Sequence, residues 1–358
     1  MNMNAHFAPE RAAVIEPMKL RVVGVVDETQ DAKSFIFESA APLTYKPGQF
    51  LTIAVPSEEQ GQVARCYSMS SAPHEGELQV TIKRTLNGYG SNWICDNVQV
   101  GDIVTVLPPS GAFTPHTFDN DLLLFAGGSG ITPVISIAKA ALALGERNVV
   151  LFYANRNHDS VIFARKLNEL TAAYPGRITV VHWLESLQGL PTDLGLQAFA
   201  RPFMHSDIYV CGPAMFMTAV ANATKKLGVP RERYHQENFV SLTGNPFAPV
   251  EGDSEESLYG SGSENLETAS VTGELDGVAF SFDDWPTDVT LLTFLQSKGV
   301  KAPSSCRAGE CSACCFRLLE GEVEMQKNQV LDVEDLNLGY RLACQSRPVS
   351  KKIAITYR

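Results

Sequence analysis

The stretch Cys306–Cys315 reads CRAGECSACC and holds four of the chain's eight cysteines. Cys306, Cys311 and Cys314 stand in C-x4-C-x2-C spacing, and Cys344, in YRLACQSRP, supplies a fourth thiol further on. This C-x4-C-x2-C…C pattern is the signature of a [2Fe–2S] cluster, whose irons take soft thiolate donors. The four-residue spacer lets the chain wrap around one iron. Ala308 and Gly309 leave room for backbone N–H groups to approach the bridging sulfides, and Gly309 is free to take positive φ. Ser304, Ser305 and Arg307 are expected to donate hydrogen bonds around the ligands and tune the reduction potential. Zinc is the competing reading. Structural zinc usually takes two short cysteine knuckles, and Cys344 has no close cysteine neighbour. Cys315 is set aside: successive strand residues face opposite ways, so it diverges from Cys314 and packs as a small apolar side chain.

Around this loop, residues 269–358 read as a hairpin (ASVTGELDGVAFSFDD), a helix (TLLTFLQSKGV), the cysteine loop, a second hairpin (CCFRLLEGEVEM) and a last strand (KKIAITYR). Before them, the segment 241–270 is rich in Ser, Gly and Glu and has no Lys or Arg. Such a composition buries too little apolar surface to order itself, so residues 241–268 read as a flexible acidic linker. An ordinary long surface loop is the other reading.

The remainder divides near residue 116. Residues 18–116 hold short alternating apolar runs, among them SFIFES, QFLTIAVP and LQVTIKRT, which predict an antiparallel barrel or sandwich. Residues 117–240 alternate strand with helix: LLLFAG, NVVLFYANR, VIFARKLNELTAAY, ITVVHWL and DIYVCGP. Phe163, Leu167 and Leu170 share one face of the predicted helix. This alternation predicts a parallel sheet covered by helices. Residues 1–17 form an N-terminal tail.

Length and composition set outer bounds. A chain of 358 residues exceeds one ordinary domain. A net charge of −11 argues against nucleic-acid binding. The first twenty residues lack the basic and apolar regions of a secretory signal. The apolar run Leu122–Ala138 is broken by glycines and a proline, so it reads as strand, loop and helix rather than a membrane span. A reducing, cytoplasmic setting follows, where clustered cysteines bind metal more often than they pair.

Two further groups of motifs bear on chemistry. RCYS at Arg65–Ser68 offers a planar fork for a pyrophosphate, an aromatic ring for stacking and a hydroxyl for hydrogen bonding. Gly90, Ser91 and Asn92 sit at a loop-to-helix junction, where N–H groups hold phosphate. R-x-Y-S has a plainer reading as ordinary surface residues. LLLFAGGSGITP is an apolar strand, a glycine turn and a helix start; Gly128-x-Gly130-x-x-Pro133 is close to the dinucleotide fingerprint, with proline in place of the third glycine. The next strand ends in Asn155-Arg156, with no ribose-binding carboxylate, and Arg156 leaves a 2′-phosphate open. VCGPAMF places Cys211 at another strand end, where open α/β sheets bind ligands. A tight turn and a buried cysteine are the structural alternatives for these two loops.

The order R-x-Y-S, G-G-x-G-I-T-P, C-G-P and C-x4-C-x2-C…C resembles the ferredoxin–NADP reductase superfamily with a fused C-terminal plant-type ferredoxin. Within it the chain is similar to reductase components of multicomponent oxygenases. The stretches ARCYSMSSAP, YANRNHDSVIF, VVHWLESLQGLP and LACQSRPVS carry a closer likeness, to reductases of 3-ketosteroid 9α-monooxygenases. The resemblance spans the chain from about residue 18 onward, outside the linker. It implies a FAD-binding Greek-key β-barrel, a Rossmann-like NAD domain and a β-grasp [2Fe–2S] domain. Arg65, Cys66, Tyr67, Ser68, Ile82, Lys83, Gly90, Ser91, Asn92, Thr132 and Phe239 would hold FAD. Gly128, Gly130, Thr132, Pro133, Arg156, Cys211, Gly212 and Pro213 would frame NADH, with NADPH left open. Ser68, Cys211 and Glu237 would serve hydride transfer from nicotinamide to flavin. Single electrons would then leave through the cluster to a terminal oxygenase, a Rieske-type 3-ketosteroid 9α-hydroxylase. Other acceptors remain open: an aromatic or acyl-CoA oxygenase, a desaturase or a hybrid-cluster protein. A redox sensor is the reading from another class.

Overall fold

The computed structural model describes residues 16–41, 43–59, 61–247, 267–275 and 277–357. Most of the N-terminal tail and residues 248–266 of the acidic linker lie outside the described residues. The described chain forms two compact units. The larger holds residues 18–109 and 113–241 as far as they are described, and the smaller holds the described residues among 1–17, 110–112 and 242–358.

The larger unit opens with six strands: β1 (Met18–Thr29), β2 (Ala32–Ser39), β3 (Phe50–Ser57), β4 (Gly61–Ser68), β5 (Leu78–Lys83) and β6 (Ile103–Ser110). They lie in the order β4-β3-β6-β1-β2-β5, with antiparallel partners. A bridge from Met69 to Val80 draws the two edges together and curls the sheet toward a barrel. The sequence period explains the interior: Leu51, Ile53 and Val55 alternate inward from β3 and are buried with Phe35 and Phe37 of β2.

Five parallel strands follow: β7 (Leu122–Gly127), β8 (Val149–Asn155), β9 (Ile178–Leu184), β10 (Asp207–Cys211) and β11 (Tyr234–Glu237). Their order is β11-β10-β7-β8-β9. All of β7 is buried, as a parallel strand covered on both faces must be. The long apolar run is thus β7, a turn and helix α2 (Ile131–Leu144), which follows helix α1 (Tyr89–Asn97) in the barrel block. Among the described residues no helix is long and apolar enough to cross a membrane. Chain order reverses between β7 and β10, and open α/β sheets can bind ligands at the carboxyl ends of the strands at such a point. Helix α3 (Ala164–Ala173) buries Leu167 and Leu170, but Phe163 precedes its first turn with φ 63°.

The smaller unit is a mixed five-stranded sheet. β12 (Thr268–Leu275), β13 (Val278–Pro286), β14 (Cys315–Glu320), β16 (Tyr340–Leu342) and β18 (Lys352–Thr356) lie in the order β13-β12-β18-β14-β16, with β12 and β18 parallel. A helix, Leu291–Ser297, seals one face with Leu291, Leu292, Phe294 and Leu295, and Trp285 stacks on Phe294 at 6.0 Å. This is the expected β-grasp architecture. One expectation is corrected: CCFRLLEGEVEM is not a hairpin. β14 stays in the main sheet, whereas β15 (Val323–Met325) pairs with β17 (Ser346–Pro348). Gly321 turns the chain away at φ 87°; a Cβ there would sit 2.4 Å from the Lys352 carbonyl oxygen.

Candidate functional site

β4 presents Arg65, Cys66, Tyr67 and Ser68 in register with Ile53, Thr52, Leu51 and Phe50 of β3. Ser68 is buried and the other three are half-buried. Burial pushes the Tyr67 phenol well up, so its ring stays neutral. The structure brings this strand to the start of α1: a Cβ on Gly90 would come within 2.7 Å of Arg65 Cγ. Ser91 Oγ accepts from Thr85 N at 3.0 Å, and Asn92 Nδ2 donates to the Thr85 carbonyl at 3.1 Å. Those side chains fix the loop ahead of α1. The first-turn N–H groups have no intrahelical acceptor and stand near the Arg65 side chain, an arrangement able to hold an anion.

The glycine turn is built for close approach. Gly128 has φ 53°, and Tyr153 Oη donates to its carbonyl at 3.1 Å. A Cβ on Gly130 would lie 2.1 Å from the Cys211 carbonyl oxygen and 2.7 Å from Gly212 N. The turn after β7 and the Cys211–Pro213 loop after β10 therefore touch backbone to backbone. Thr132 is buried, and its hydroxyl donates to the Ser129 carbonyl at 3.1 Å. Lys83, next to buried Ile82, brings its Nζ within 3.8 Å of where a Gly128 Cβ would stand.

Cys211 pairs in register with Glu237 of the neighbouring strand, and both are buried. Burial raises the Cys211 thiol, and the Glu237 carboxylate adds to the effect. Burial likewise pushes Glu237 up to about 8, and among the described residues its Oε2 has no hydrogen-bond partner. A neutral thiol and a neutral carboxyl thus stand in register at adjacent strand ends, with one polar atom unsatisfied, a condition that a bound ligand can relieve. Phe239, two residues on, is 51% exposed, so much of its aromatic ring is open to solvent.

Several residues the sequence did not single out hold these parts in place. Asp31 pairs with Arg156 at 2.8 Å and with Lys83 at 3.7 Å, so Arg156 is tied to the barrel at the edge of the crevice. Lys139 of α2 donates to the Ser70 carbonyl at 2.9 Å and to Glu75 at 2.8 Å, and Ser136 Oγ donates to the Ser71 carbonyl at 2.6 Å. Burial alone would raise the Glu75 carboxyl; Lys139 outweighs it and holds Glu75 below the usual carboxylate range. Helix α2 is thereby pinned to the barrel. The signal was present: Lys139 is the sole charged residue in ITPVISIAKAALAL. Asp31, on a turn among polar residues, carried no such signal.

In the smaller unit Cys306, Cys311, Cys314 and Cys344 are all buried. They form two pairs: the Cys311 and Cys306 sulfurs lie 3.1 Å apart, and Cys314 is hydrogen-bonded to Cys344. Backbone N–H groups of Ala308 and Glu310 each point at Cys306 Sγ from 3.4 Å. The Cys311 thiol and these N–H groups hold Cys306 below the usual thiol range, against its burial. Cys314 likewise holds Cys344 low. Gly309 takes φ 70° as expected, and a Cβ there would meet the Lys327 carbonyl oxygen at 2.6 Å. Arg307 Nη2 donates to Gln296 Oε1 at 3.0 Å, and Gln296 Nε2 reaches Ser304 Oγ at 3.4 Å. Cys315 starts β14 and packs against the domain core, and burial pushes its thiol up to about 12. Among the described residues no three ligand-type side chains gather as a single ion would require. Two thiol pairs with inward N–H donors fit a two-iron cluster rather than one zinc ion.

Comparison with known proteins agrees with this geometry. Residues 19–114 match the oxidoreductase FAD-binding domain, residues 124–222 the oxidoreductase NAD-binding domain, and residues 274–349 the 2Fe-2S iron–sulfur cluster binding domain. The chain is 48% identical over 346 residues to the ferredoxin reductase component of 3-ketosteroid-9-alpha-monooxygenase from Rhodococcus rhodochrous, covering 94% of this chain and 96% of that one. Its counterpart from Mycolicibacterium smegmatis is 49% identical over 351 residues, covering 95% and 97%. Among solved structures, phthalate dioxygenase reductase aligns with a TM-score of 0.57 and 25% identity over 95% of this chain and 98% of that one. With crevice, thiol pairs and whole-length likeness in agreement, the chain belongs to the family of ferredoxin reductase components of 3-ketosteroid-9-alpha-monooxygenase, NADH-dependent oxidoreductases with FAD and a [2Fe–2S] cluster.

Proposed function

We propose that this chain takes electrons from NADH, passes them through FAD and the [2Fe–2S] cluster, and delivers them in the cytoplasm to a terminal oxygenase, a Rieske-type 3-ketosteroid 9α-hydroxylase. The observation that carries the reading is the division of the four buried thiols into two pairs, in one chain with the backbone contact between Gly130 and Cys211. The first suits an outlet for single electrons and the second an entrance for a nucleotide. Bound FAD supplies the conversion between a two-electron hydride donor and one-electron carriers.

The chain's own work is to bind, orient and exclude water. Arg65 and the first turn of α1 would hold the FAD pyrophosphate, and Tyr67 and Phe239 would offer aromatic surface to its ring. Ser68 offers its hydroxyl at the ring edge. Gly128, Gly130 and the Cys211–Pro213 loop let the dinucleotide lie close to backbone. Cys211 fills the floor of the crevice as a neutral thiol. Glu237, protonated at neutral pH, offers its Oε2 proton to a polar acceptor on the nicotinamide. Cys306, Cys311, Cys314 and Cys344 hold the cluster.

Anaerobic titration with NADH, followed by visible absorbance and EPR, tests the relay. Both flavin and cluster should be reduced, with electron uptake matching one flavin and one cluster per chain. Bleaching of the flavin with a cluster that never accepts an electron would refute it. Turnover with the purified steroid oxygenase, set against an aromatic oxygenase, tests the partner.

A further inference from the structure

The smaller unit buries a carboxylate that cluster ligation does not require. Glu310 lies between Cys306 and Cys311, and its side chain is fully buried, at 0% exposure. Its backbone N–H points at Cys306 Sγ from 3.4 Å. Its carboxylate accepts from Lys327 Nζ at 2.8 Å, from Thr243 N at 2.8 Å and from the Thr243 hydroxyl. A carboxylate buried without partners would be strongly disfavoured, so three donors mark a site made to keep this charge. Lys327 is 42% exposed, so solvent screens its charge more than that of Glu310. Thr243 sits at the head of the segment read as linker, where Leu242 is also buried. The loop is braced elsewhere too: Gln329 N donates to the Gly309 carbonyl at 3.0 Å and Gln345 Nε2 to the Arg307 carbonyl at 3.1 Å.

We propose that Glu310 is a positioning residue that also tunes the cluster: gripped by Thr243 and Lys327, its carboxylate clamps the Cys306–Cys311 loop and makes the cluster harder to reduce. The inference rests on Cys306 and Cys311 being cluster ligands. Reduction adds one negative charge, and a fixed negative charge beside it opposes that step. Lys327 works the other way, with less effect because it is half in solvent. Thr243 lets the entering chain hold the carboxylate in place, so the charge stays near the cysteines rather than turning to water.

The test is a redox titration of the full-length protein with its flavin and cluster, read by EPR of the reduced cluster, with the flavin's own potential as internal reference. Glu310→Gln keeps the shape and an acceptor for Thr243 but removes the charge. A unit charge about 10 Å away at an effective dielectric near 20 shifts an equilibrium roughly tenfold, so the variant's cluster should be easier to reduce by about that factor, about 59 mV for one electron. Lys327→Met should make the cluster harder to reduce, by a smaller factor. Iron and sulfide content are measured first. A wild type that holds no cluster defeats the ligand reading itself. A loaded Glu310→Gln protein with an unmoved potential, or both variants shifting the same way, overturns the tuning role. If Glu310→Gln fails to hold its cluster, Lys327→Met carries the test alone, and an unchanged potential there overturns it.

Discussion

Gly130→Ala is the smallest change that attacks the entrance of the relay. The added Cβ would stand 2.1 Å from the Cys211 carbonyl oxygen, 2.3 Å from its carbonyl carbon and 2.7 Å from Gly212 N. All three are backbone atoms, so no side chain can rotate aside. Reaching even 3.0 Å from the oxygen takes about 0.9 Å (3.0 minus 2.1) of backbone movement. Either the glycine turn rises or the Cys211–Pro213 loop is pushed toward the crevice, and both lie where nicotinamide is expected. A misplacement near 1 Å costs on the order of a hundredfold in a step that depends on alignment. Rapid anaerobic mixing with NADH should therefore show flavin reduction slowed about a hundredfold. The substitution lies outside the smaller unit, so the cluster spectrum should stay at the wild-type level. A reduction rate within about threefold of wild type would show that the contact between the loops does not position the nucleotide.

Four other substitutions test separate parts of the site. Cys344→Ala should abolish or badly disrupt the visible cluster spectrum while Cys315→Ala leaves it intact; the reverse would overturn the ligand set. Asp31→Asn should free Arg156 from its 2.8 Å ion pair and raise NADPH use relative to NADH by about threefold, a small factor because surface pairs are worth at most about 1 kcal/mol. An unchanged ratio of kcat/KM values would remove Arg156 from coenzyme choice. Glu237 is raised from 4.5 to about 8 in the folded state, so its contribution to stability is fully present below its unfolded value and is lost as pH rises through about 8. Glu237→Gln cannot ionise, so its melting curves, followed by flavin fluorescence, should fall less between roughly pH 5 and pH 8 than those of wild type; parallel falls would mean that Glu237 is not held neutral.

What the sequence disclosed follows from how far apart the cooperating residues stand. Cys306, Cys311 and Cys314 sit within nine residues, so their spacing is itself a geometric statement. The alternation in β3 and the unbroken apolar run of β7 likewise record local burial, on one face or on two. The hairpin expected from Cys314 to Met325 failed because two short strands around a glycine look alike whether they pair or part. The contact of Gly321 with the Lys352 carbonyl decides between these, and it comes from a strand thirty residues away. The same limit hid Asp31 with Arg156, Lys139 with Glu75, and Glu310 with Thr243, each joined only by folding. Two of these left a trace nonetheless. Lys139 is a lone charge in an apolar helix, and Glu310 is an acid among the small residues of a cysteine loop. Because an unpaired charge in such places would be costly, each implies a partner that the sequence cannot name. The ligand-binding motifs were readable as motifs because their residues are neighbours. The groups that hold them in position show only as charges out of place, and the fold supplies the partners.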